Sequence, residues 1–297
     1  MKRFRDWVMM TRLWSLTAST VPVAAGAALA ALDGKFSWLM LALTMVCGWM
    51  LHIATNLLNS YGDYMSGVDK DVETTSDTSL LTGLFQPAEV FRVGVGALIV
   101  AAALGIVATL LSDWRLIGFA VVGVLGAGLY TTGLRYKYWG LGVPFVFFLM
   151  GVLMVGAAYF AQTCTLTWPL IVLSLPISCL VAAILLGNDL RDLANDRDSN
   201  IRTTALFLGM RGARALFYAL HLLPYLCVIG AVAVGMFPLG CLLPLLAAPM
   251  TFGVVKATRD GFRTGDRGKI TKLCQMTAGV HFVFGLLLVL GLVVSGF

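Results

Sequence analysis

Long apolar segments alternate with short polar ones along the whole chain. An α-helix needs about 20 apolar residues to cross the hydrocarbon core of a bilayer, and nine segments reach that length. They lie at roughly 13–32, 38–58, 88–111, 116–134, 143–162, 168–189, 213–236, 238–257 and 273–295. The pattern therefore predicts an all-α membrane protein with nine transmembrane helices.

The composition agrees with this pattern. Hydrophobic residues make up 59% of the chain and charged residues only 12%, whereas soluble domains carry about 25% charged residues. The basic start leads directly into a full-length apolar span, so we expect no cleavable signal peptide. Six cysteines and three histidines are scattered singly, which is typical of packing residues and not of a metal site. The absence of a linker predicts a single transmembrane domain over 1–297.

The basic residues are distributed unevenly between the two ends of the apolar segments. With the N-terminus in the cytosol, 19 of the 21 lysines and arginines fall in cytosolic segments, and only Lys35 and Arg115 fall outside. This asymmetry follows the positive-inside rule and predicts an N-in, C-out orientation in a bacterial-type cytoplasmic membrane. The net charge of +6 is thus explained by the membrane topology, and we expect no nucleic-acid partner. Thirteen of the fifteen acids also fall on the cytosolic face, where we expect the active site.

Two acidic stretches stand at the inner ends of apolar segments. They are NLLNSYGDYMSGVDKDVETTSD at 56–77 and GNDLRDLANDRDSNIRTT at 187–204. Residues four apart lie on one face of a helix. The residues at this spacing are Asn59 and Asp63 in the first stretch and Asn188, Asp192 and Asp196 in the second. The shared Asn-x-x-x-Asp unit indicates a weak internal repeat.

The acidic faces predict a magnesium site. Carboxylates at this spacing repel one another unless a cation compensates them. Carboxylate and amide oxygens suit Mg²⁺, which commonly binds through one or two carboxylates together with substrate phosphates. Two such faces therefore predict a diphosphate held between metal ions, and Asp69 can join the first face only if the helix ends near Gly67. Four other acids in these stretches are equally typical of solvated loop charge: Asp71, Glu73, Asp77 and Asp198.

Basic side chains are expected to neutralise the phosphate oxygens. The candidates are Arg12, Lys70, Arg135, Lys137, Arg191 and Arg202. The positive-inside rule alone accounts for the presence of basic residues on this face, so it remains the alternative explanation for each of them. The basic run at 256–272 is typical of a segment that binds lipid headgroups.

The motifs resemble a known family. NSYGDYMSGVD and NDLRDLANDRD resemble the two aspartate-rich motifs of the UbiA superfamily of intramembrane aromatic prenyltransferases. The residue spacing and residue identities of the first motif are similar to those in the branch that uses 1,4-dihydroxy-2-naphthoate in menaquinone biosynthesis. RLWSLTASTVPVAAGAALA, YTTGLRYKYWGLG and IRTTALFLGMRGAR resemble further family segments, in the family's order.

The resemblance implies a ring of nine helices around a central cavity, with a polar cytosolic cap and an opening to membrane lipid. It implies that Mg²⁺ and an isoprenyl diphosphate bind at Asn59, Asp63, Asp192 and Asp196, with Asp69 and Asn188 assisting. Tyr130 and Lys137 match positions that contact the diphosphate, and Asp69 is a candidate base. The implied reaction is alkylation of an aromatic acid acceptor by the prenyl carbocation.

Several alternatives remain open at this point. The acceptor could instead be 4-hydroxybenzoate, homogentisate, chlorophyllide, haem or a glycerol phosphate. CDP-alcohol phosphotransferases also carry Asp-x-x-x-Asp on membrane helices, but they have an upstream Asp-Gly…Ala-Arg pattern that this chain lacks. A cation-coupled transporter could also use repeated helices and intramembrane acids, although transporters place such acids near the bilayer midplane.

Overall fold

The computed structural model describes residues 4–68, 78–198 and 201–296. Every named regular element in these ranges is helical, which confirms the predicted all-α class. The α-helices are α1 (Phe4–Thr11), α2 (Thr17–Leu32), α3 (Trp38–Met65), α4 (Pro87–Leu111), α5 (Leu116–Gly128), α6 (Gly142–Val146), α7 (Met154–Thr163), α8 (Trp168–Asp198), α9 (Thr204–Ala233), α10 (Ala248–Thr264), α11 (Arg267–Thr271) and α12 (Leu273–Ser295). Short 3₁₀ segments are Leu13–Leu16, Tyr136–Tyr138 and Leu239–Ala247, and a π-helical segment is Phe147–Leu153.

Eight helical segments of the described chain are long and apolar enough to cross a bilayer. They are Leu13–Leu32, Trp38–Met65, Pro87–Leu111, Gly142–Thr163, Trp168–Leu193, Thr204–Ala233, Leu239–Thr264 and Arg267–Ser295. Their number and length are those of a multi-pass integral membrane protein.

The segment at 116–134 differs from the prediction of a full-length span. Only Leu116–Gly128 is helical, and 13 residues extend about 20 Å, which is less than the hydrocarbon core. The chain then turns through Gly133 and Arg135, which have φ values of 59° and 53°. A helix cannot contain these left-handed residues, so the polar part of the predicted span forms a loop instead.

Close helix packing on one side of the molecule depends on small residues. Helices α2, α7, α8 and α12 pack together, and their contact faces are largely buried. A Cβ atom at Gly26 of α2 would collide with the carbonyl oxygen of Val155 in α7, and one at Gly285 of α12 would collide with Val21. Small residues let membrane helices approach closely in this way.

The loop at 129–141, between α5 and α6, is fixed against the end of α3. Thr131 Oγ1 donates to the carbonyl oxygen of Leu58 at 3.0 Å. A Cβ atom at Gly62 would lie 2.8 Å from the Thr131 carbonyl oxygen, so only glycine admits the loop backbone this closely. Thr204, at the start of α9, also donates to the carbonyl oxygen of Gly140 at 2.9 Å. These contacts bring the loop to the polar ends of the helices.

Candidate active site

The polar end of α3 presents Asn59 and Asp63 to an internal cavity. Asn59 Nδ2 donates to Asp63 Oδ2 at 3.0 Å, and Asp63 is only 7% exposed. The helix ends at Met65 in a Schellman turn, in which Gly67 has a φ of 66° and the Val68 N–H donates to the Asp63 carbonyl at 2.9 Å. The helix thus ends two residues before Gly67, as participation of Asp69 would require, and Asp69 itself lies outside the described residues.

The loop at 129–141 adds two partners for Asp63. Lys137 Nζ donates to Asn59 Oδ1 at 2.9 Å and to Asp63 Oδ2 at 2.7 Å. The Tyr138 hydroxyl donates to Asp63 Oδ1 at 2.5 Å. Burial, together with the Asp63 charge, raises the pKa of Tyr138 above its usual value, so the phenol remains a donor. A cation and a neutral donor thus stabilise this carboxylate.

The polar end of α8 faces the same cavity. Asn188, Asp192 and Asp196 line it, as their four-residue spacing predicts, and Asp189 lines it as well. Arg191 forms a two-pronged ion pair with its neighbour Asp192, with Nε–Oδ1 at 2.7 Å and Nη2–Oδ2 at 2.6 Å. Arg191 pairs with Asp192, whereas Asp189 and Asp196 have no such arginine partner within the described part of the chain. The acidic cluster therefore still favours an additional cation.

The pKa of Asp196 reflects this crowding. Asp196 lies beyond the last apolar turn of α8 and is 6% exposed. Burial first, and then the negative charges of Asp189 and Asp192, raise the pKa of its carboxyl to about 7. The ionised form is therefore disfavoured here unless positive charge is supplied.

The cavity has a volume of about 460 Å³ and extends along most of α3. Its α3 wall begins at Thr44 and ends at Asp63, which is about 28 Å at the helical rise of 1.5 Å per residue. Acidic and basic side chains lie at the Asp63 end. The wall beyond them consists largely of apolar and small residues, among them Gly48, Leu51, Gly105, Phe119, Gly123, Ala127, Leu149, Leu153 and Ala157.

A polar pocket that continues into a long apolar tunnel suits a diphosphate with a hydrocarbon tail. The sequence profile of the UbiA prenyltransferase family matches residues 19–276. The chain belongs to this family. The resemblance found in the motifs is thereby confirmed. Among its relatives, the 1,4-dihydroxy-2-naphthoate octaprenyltransferase of Bacillus subtilis (strain 168) is 32% identical over 97% of this chain and 92% of its own length.

Animal relatives and solved structures agree with this assignment. The UbiA prenyltransferase domain-containing protein 1 of Homo sapiens is 31% identical over 98% of this chain and 84% of its own length. The fold is similar to the apo structure of a UbiA homolog from Aeropyrum pernix K1, with a TM-score of 0.71, 16% identity and coverage of 92% and 97% of the two chains. A UbiA homolog from Archaeoglobus fulgidus bound to GPP and Mg²⁺ has a TM-score of 0.63 at 14% identity, covering 96% and 99%.

Most site residues expected from the UbiA motifs lie on the cavity wall. Those that line it are Arg12, Asn59, Asp63, Tyr130, Lys137, Asn188, Arg191, Asp192 and Asp196. Arg135 and Arg202 do not line it and are exposed, and Arg135 donates to Ser66 Oγ at 3.4 Å. Asp69 and Lys70 lie outside the described residues. The roles of all these residues in a UbiA reaction remain predictions.

The structure adds residues that the sequence analysis missed. Asp189 is adjacent to Asn188 but lies outside the four-residue stripe, and its carboxylate faces the backbone amides of Thr204 and Ala205 at the start of α9. Tyr138 directly follows Lys137 and is oriented by the loop. A helical wheel that included neighbours within 100° of the stripe would have identified Asp189. Tyr138 lies in the family-like segment YTTGLRYKYWGLG, but the resemblance gave it no role.

The donor set fits a magnesium ion shared with a substrate. No group of three or more His, Cys, Asp or Glu side chains in the described ranges converges as a closed metal site. The carboxylate and amide oxygens are instead divided between the ends of α3 and α8. On α3, the Lys137 ammonium already contacts Asn59 Oδ1 at 2.9 Å and Asp63 Oδ2 at 2.7 Å. Mg²⁺ prefers such incomplete carboxylate sets because substrate phosphates and waters complete its shell.

Proposed function

We propose that this UbiA-family protein transfers a polyprenyl group from an isoprenyl diphosphate to 1,4-dihydroxy-2-naphthoate in a Mg²⁺-dependent reaction. The observation that carries the proposal is that Asp63 of α3 and Asp192 of α8 line one cavity whose remaining wall is largely apolar. The name of the Bacillus subtilis relative supports the naphthoate acceptor, and the GPP- and Mg²⁺-bound homolog supports the diphosphate donor.

The metal would be held by the two acidic helix ends. Its ligands would be Asn59 and Asp63 on one side and Asp192 and Asp196 on the other, assisted by Asn188 and by Asp69. Bound Mg²⁺ supplies positive charge that stabilises the leaving diphosphate.

The chain's own residues perform the other tasks of the reaction. Lys137, Arg191 and Arg12 line the polar end and bind phosphate oxygens, while the Tyr130 ring lies below the Lys137 ammonium at 6.0 Å from its centroid. The allylic C–O bond breaks as negative charge moves to the diphosphate. The apolar wall keeps water away from the allylic cation, so the electron-rich acceptor ring attacks C1. With dihydroxynaphthoate, loss of CO₂ and a proton restores the aromatic ring.

The membrane arrangement forms part of the proposal. The single domain at 1–297 would cross the membrane nine times, with the short α5 as one crossing that reaches the surface through its loop. An N-in, C-out orientation would place the acidic ends at the cytosolic face, where water-soluble prenyl acceptors and Mg²⁺ are available.

An acceptor panel tests the proposal. Purified protein in nanodiscs receives geranylgeranyl diphosphate, Mg²⁺ and one aromatic acid at a time, and products are identified by mass. We expect pyrophosphate release and a prenylated, decarboxylated product with 1,4-dihydroxy-2-naphthoate. A product formed only with 4-hydroxybenzoate or only with homogentisate would show that this compound, and not 1,4-dihydroxy-2-naphthoate, is the acceptor. No pyrophosphate release with any acceptor would favour the transporter alternative.

A further inference from the structure

Arg12 reaches the cavity from a backbone conformation that residues other than glycine rarely adopt. It lies between the end of α1 at Thr11 and the 3₁₀ segment Leu13–Leu16, with φ 55° and ψ 47°. Arg12 lines the cavity, and its Nη2 donates to Ser60 Oγ at 3.3 Å, next to Asn59 in the chain. A left-handed arginine persists only where its surroundings hold it, and such residues cluster at functional sites.

Two side chains hold the backbone on either side of this turn. Asn56 Nδ2 donates to the Thr11 carbonyl oxygen at 3.1 Å and to Ser15 Oγ at 3.2 Å. The Ser15 hydroxyl donates to the Arg12 carbonyl oxygen at 2.8 Å. Asn56 on α3 therefore fixes both ends of the turn from which the Arg12 side chain projects.

His52 completes the arrangement one helical turn further along α3. Its Nε2 lies 3.1 Å from Ser15 Oγ and its Nδ1 lies 3.1 Å from Ser19 Oγ. Because the Ser15 hydroxyl proton is donated to Arg12, Ser15 can only accept from the imidazole. This places a ring proton on Nε2. The Ser19 hydroxyl then has two acceptors at 3.1 Å, Nδ1 of the neutral imidazole and the Leu16 carbonyl oxygen.

We propose that Ser15, His52 and Asn56 form a clasp that positions Arg12 to bind the diphosphate of the prenyl donor. The inference rests on the proposed function and concerns residues for which no role had been expected. Polar side chains inside a membrane span are costly, so a group of three requires a task. Joining α2 to α3 does not require them, because the Trp49 indole already donates to Thr20 Oγ1 at 2.9 Å between the same two helices.

A double-mutant cycle tests the clasp. The variants are Asn56→Ala, Arg12→Ala and the double variant, and the readouts are the affinity for magnesium pyrophosphate by calorimetry and the KM for geranylgeranyl diphosphate. Misplacement of a binding group by about 1 Å can cost up to about 100-fold, so we expect each single variant to weaken both by roughly 10- to 100-fold. In the Arg12→Ala background, Asn56→Ala should add less than about twofold, because it acts through the arginine.

Two further variants separate positioning from packing. Thr20→Val removes the other α2–α3 hydrogen bond and should leave both readouts unchanged. His52→Leu should weaken pyrophosphate binding, whereas His52→Gln, which keeps one donor and one acceptor, should restore most of it. Circular dichroism and size-exclusion profiles identify any variant that fails to fold, and Ser15→Ala then replaces it in the cycle.

Two results with Asn56→Ala would overturn the clasp. One is an Asn56→Ala effect of equal size with and without Arg12, and the other is wild-type pyrophosphate affinity in Asn56→Ala. Both are distinguishable from failure of the proposed function. If the cycle shows coupling but no aromatic acceptor is prenylated, the clasp holds and the acceptor assignment fails. If Arg12→Ala retains full affinity while prenyl transfer proceeds, the function holds and the clasp fails.

Discussion

Asp63, near the polar end of a membrane span, accepts hydrogen bonds from an amide, an ammonium and a phenol. Asn59, Lys137 and Tyr138 all contact its two oxygens within 3.0 Å. These contacts hold both carboxylate oxygens in place at the cavity wall. The carboxylate of Asp63 is thus already paired with a cationic side chain, which a metal would have to displace or share.

Neutralising this carboxylate tests its role. We expect Asp63→Asn and Asp192→Asn each to lower kcat/KM by at least about 100-fold, the size of effect seen when a preorganised electrostatic contact is removed. Asp33 is the matched control because its Oδ2 also accepts from a tyrosine, Tyr159, at 2.5 Å, but it does not line the cavity. Asp33→Asn should retain activity. Full activity of both cavity variants would contradict the metal assignment.

Lys137 occupies the oxygens that a metal would use, so its substitution should have two opposite effects. If Lys137 binds the diphosphate as proposed, Lys137→Met removes a charged hydrogen bond worth about 1.5–3 kcal/mol and should raise the KM for the prenyl diphosphate roughly 10- to 100-fold. It also frees Asn59 and Asp63, so the Mg²⁺ concentration for half-maximal activity should fall. Arg135→Met, in the same loop but outside the cavity, is the control. An unchanged KM in Lys137→Met would show that Lys137 does not bind the prenyl diphosphate.

At this scale the helix repeat identified only part of the site from the sequence. Asn59 with Asp63, and Asn188 with Asp192 and Asp196, could be grouped because the period of 3.6 residues places them on one face. Lys137 could be located only by its likeness to family motifs. Arg12 was a candidate because of its charge and position, but its left-handed turn and the contact of Tyr138 with Asp63 follow from tertiary packing.

The helices cooperate through the contact between α3 and the loop at 129–141. Gly62 precedes Asp63, and the Thr131 backbone packs directly on it, so the loop that carries Lys137 and Tyr138 is seated by the helix that carries their partner. The acid and its donors are therefore positioned by one contact, and a shift there changes all of them together.

Adding a single methyl group at this contact should disturb the site and leave the helix intact. In Gly62→Ala the new Cβ would lie 2.8 Å from the Thr131 carbonyl oxygen and 2.9 Å from Thr131 Cβ. Alanine favours a helix over glycine by about 1 kcal/mol, so the loop should move instead of the helix. We expect kcat/KM to fall up to about 100-fold. Gly96→Ala in α4, where a Cβ meets nothing within 4 Å, should be neutral, and equal activity of the two variants would contradict the argument.

The lengths of the elements show where hydropathy fails as a guide. Apolar runs located the long helices well, because a membrane span must satisfy its backbone internally. The same criterion extended α5 to residue 134, since Tyr130 and Leu134 are apolar enough to continue the run. The turn at Gly133 and Arg135 overrides it, and bringing the loop to Asp63 requires that turn.

The molecule as a whole separates charge from apolar volume along one cavity. Its polar end lies at Asp63 and Asp192, and the α3 wall continues to Thr44. A prenyl donor can satisfy both parts only when its diphosphate lies at the polar end and its tail follows the apolar wall. The length of tail accepted should therefore depend on residues far from the charged groups.

A bulky residue midway along the wall should change donor preference without abolishing the reaction. Leu51 lines the cavity 12 residues before Asp63, which is about 18 Å along α3. In Leu51→Trp we expect geranyl diphosphate to react at close to the wild-type rate and kcat/KM for geranylgeranyl diphosphate to fall by roughly 10- to 100-fold. Overpacking by a larger side chain costs about 1–3 kcal/mol, and here the prenyl tail that must pass residue 51 would bear this cost. Leu110→Trp, on a side chain that is 78% exposed on α4, is the control for added bulk. A parallel loss with both donors in Leu51→Trp would show that the tail does not follow this wall.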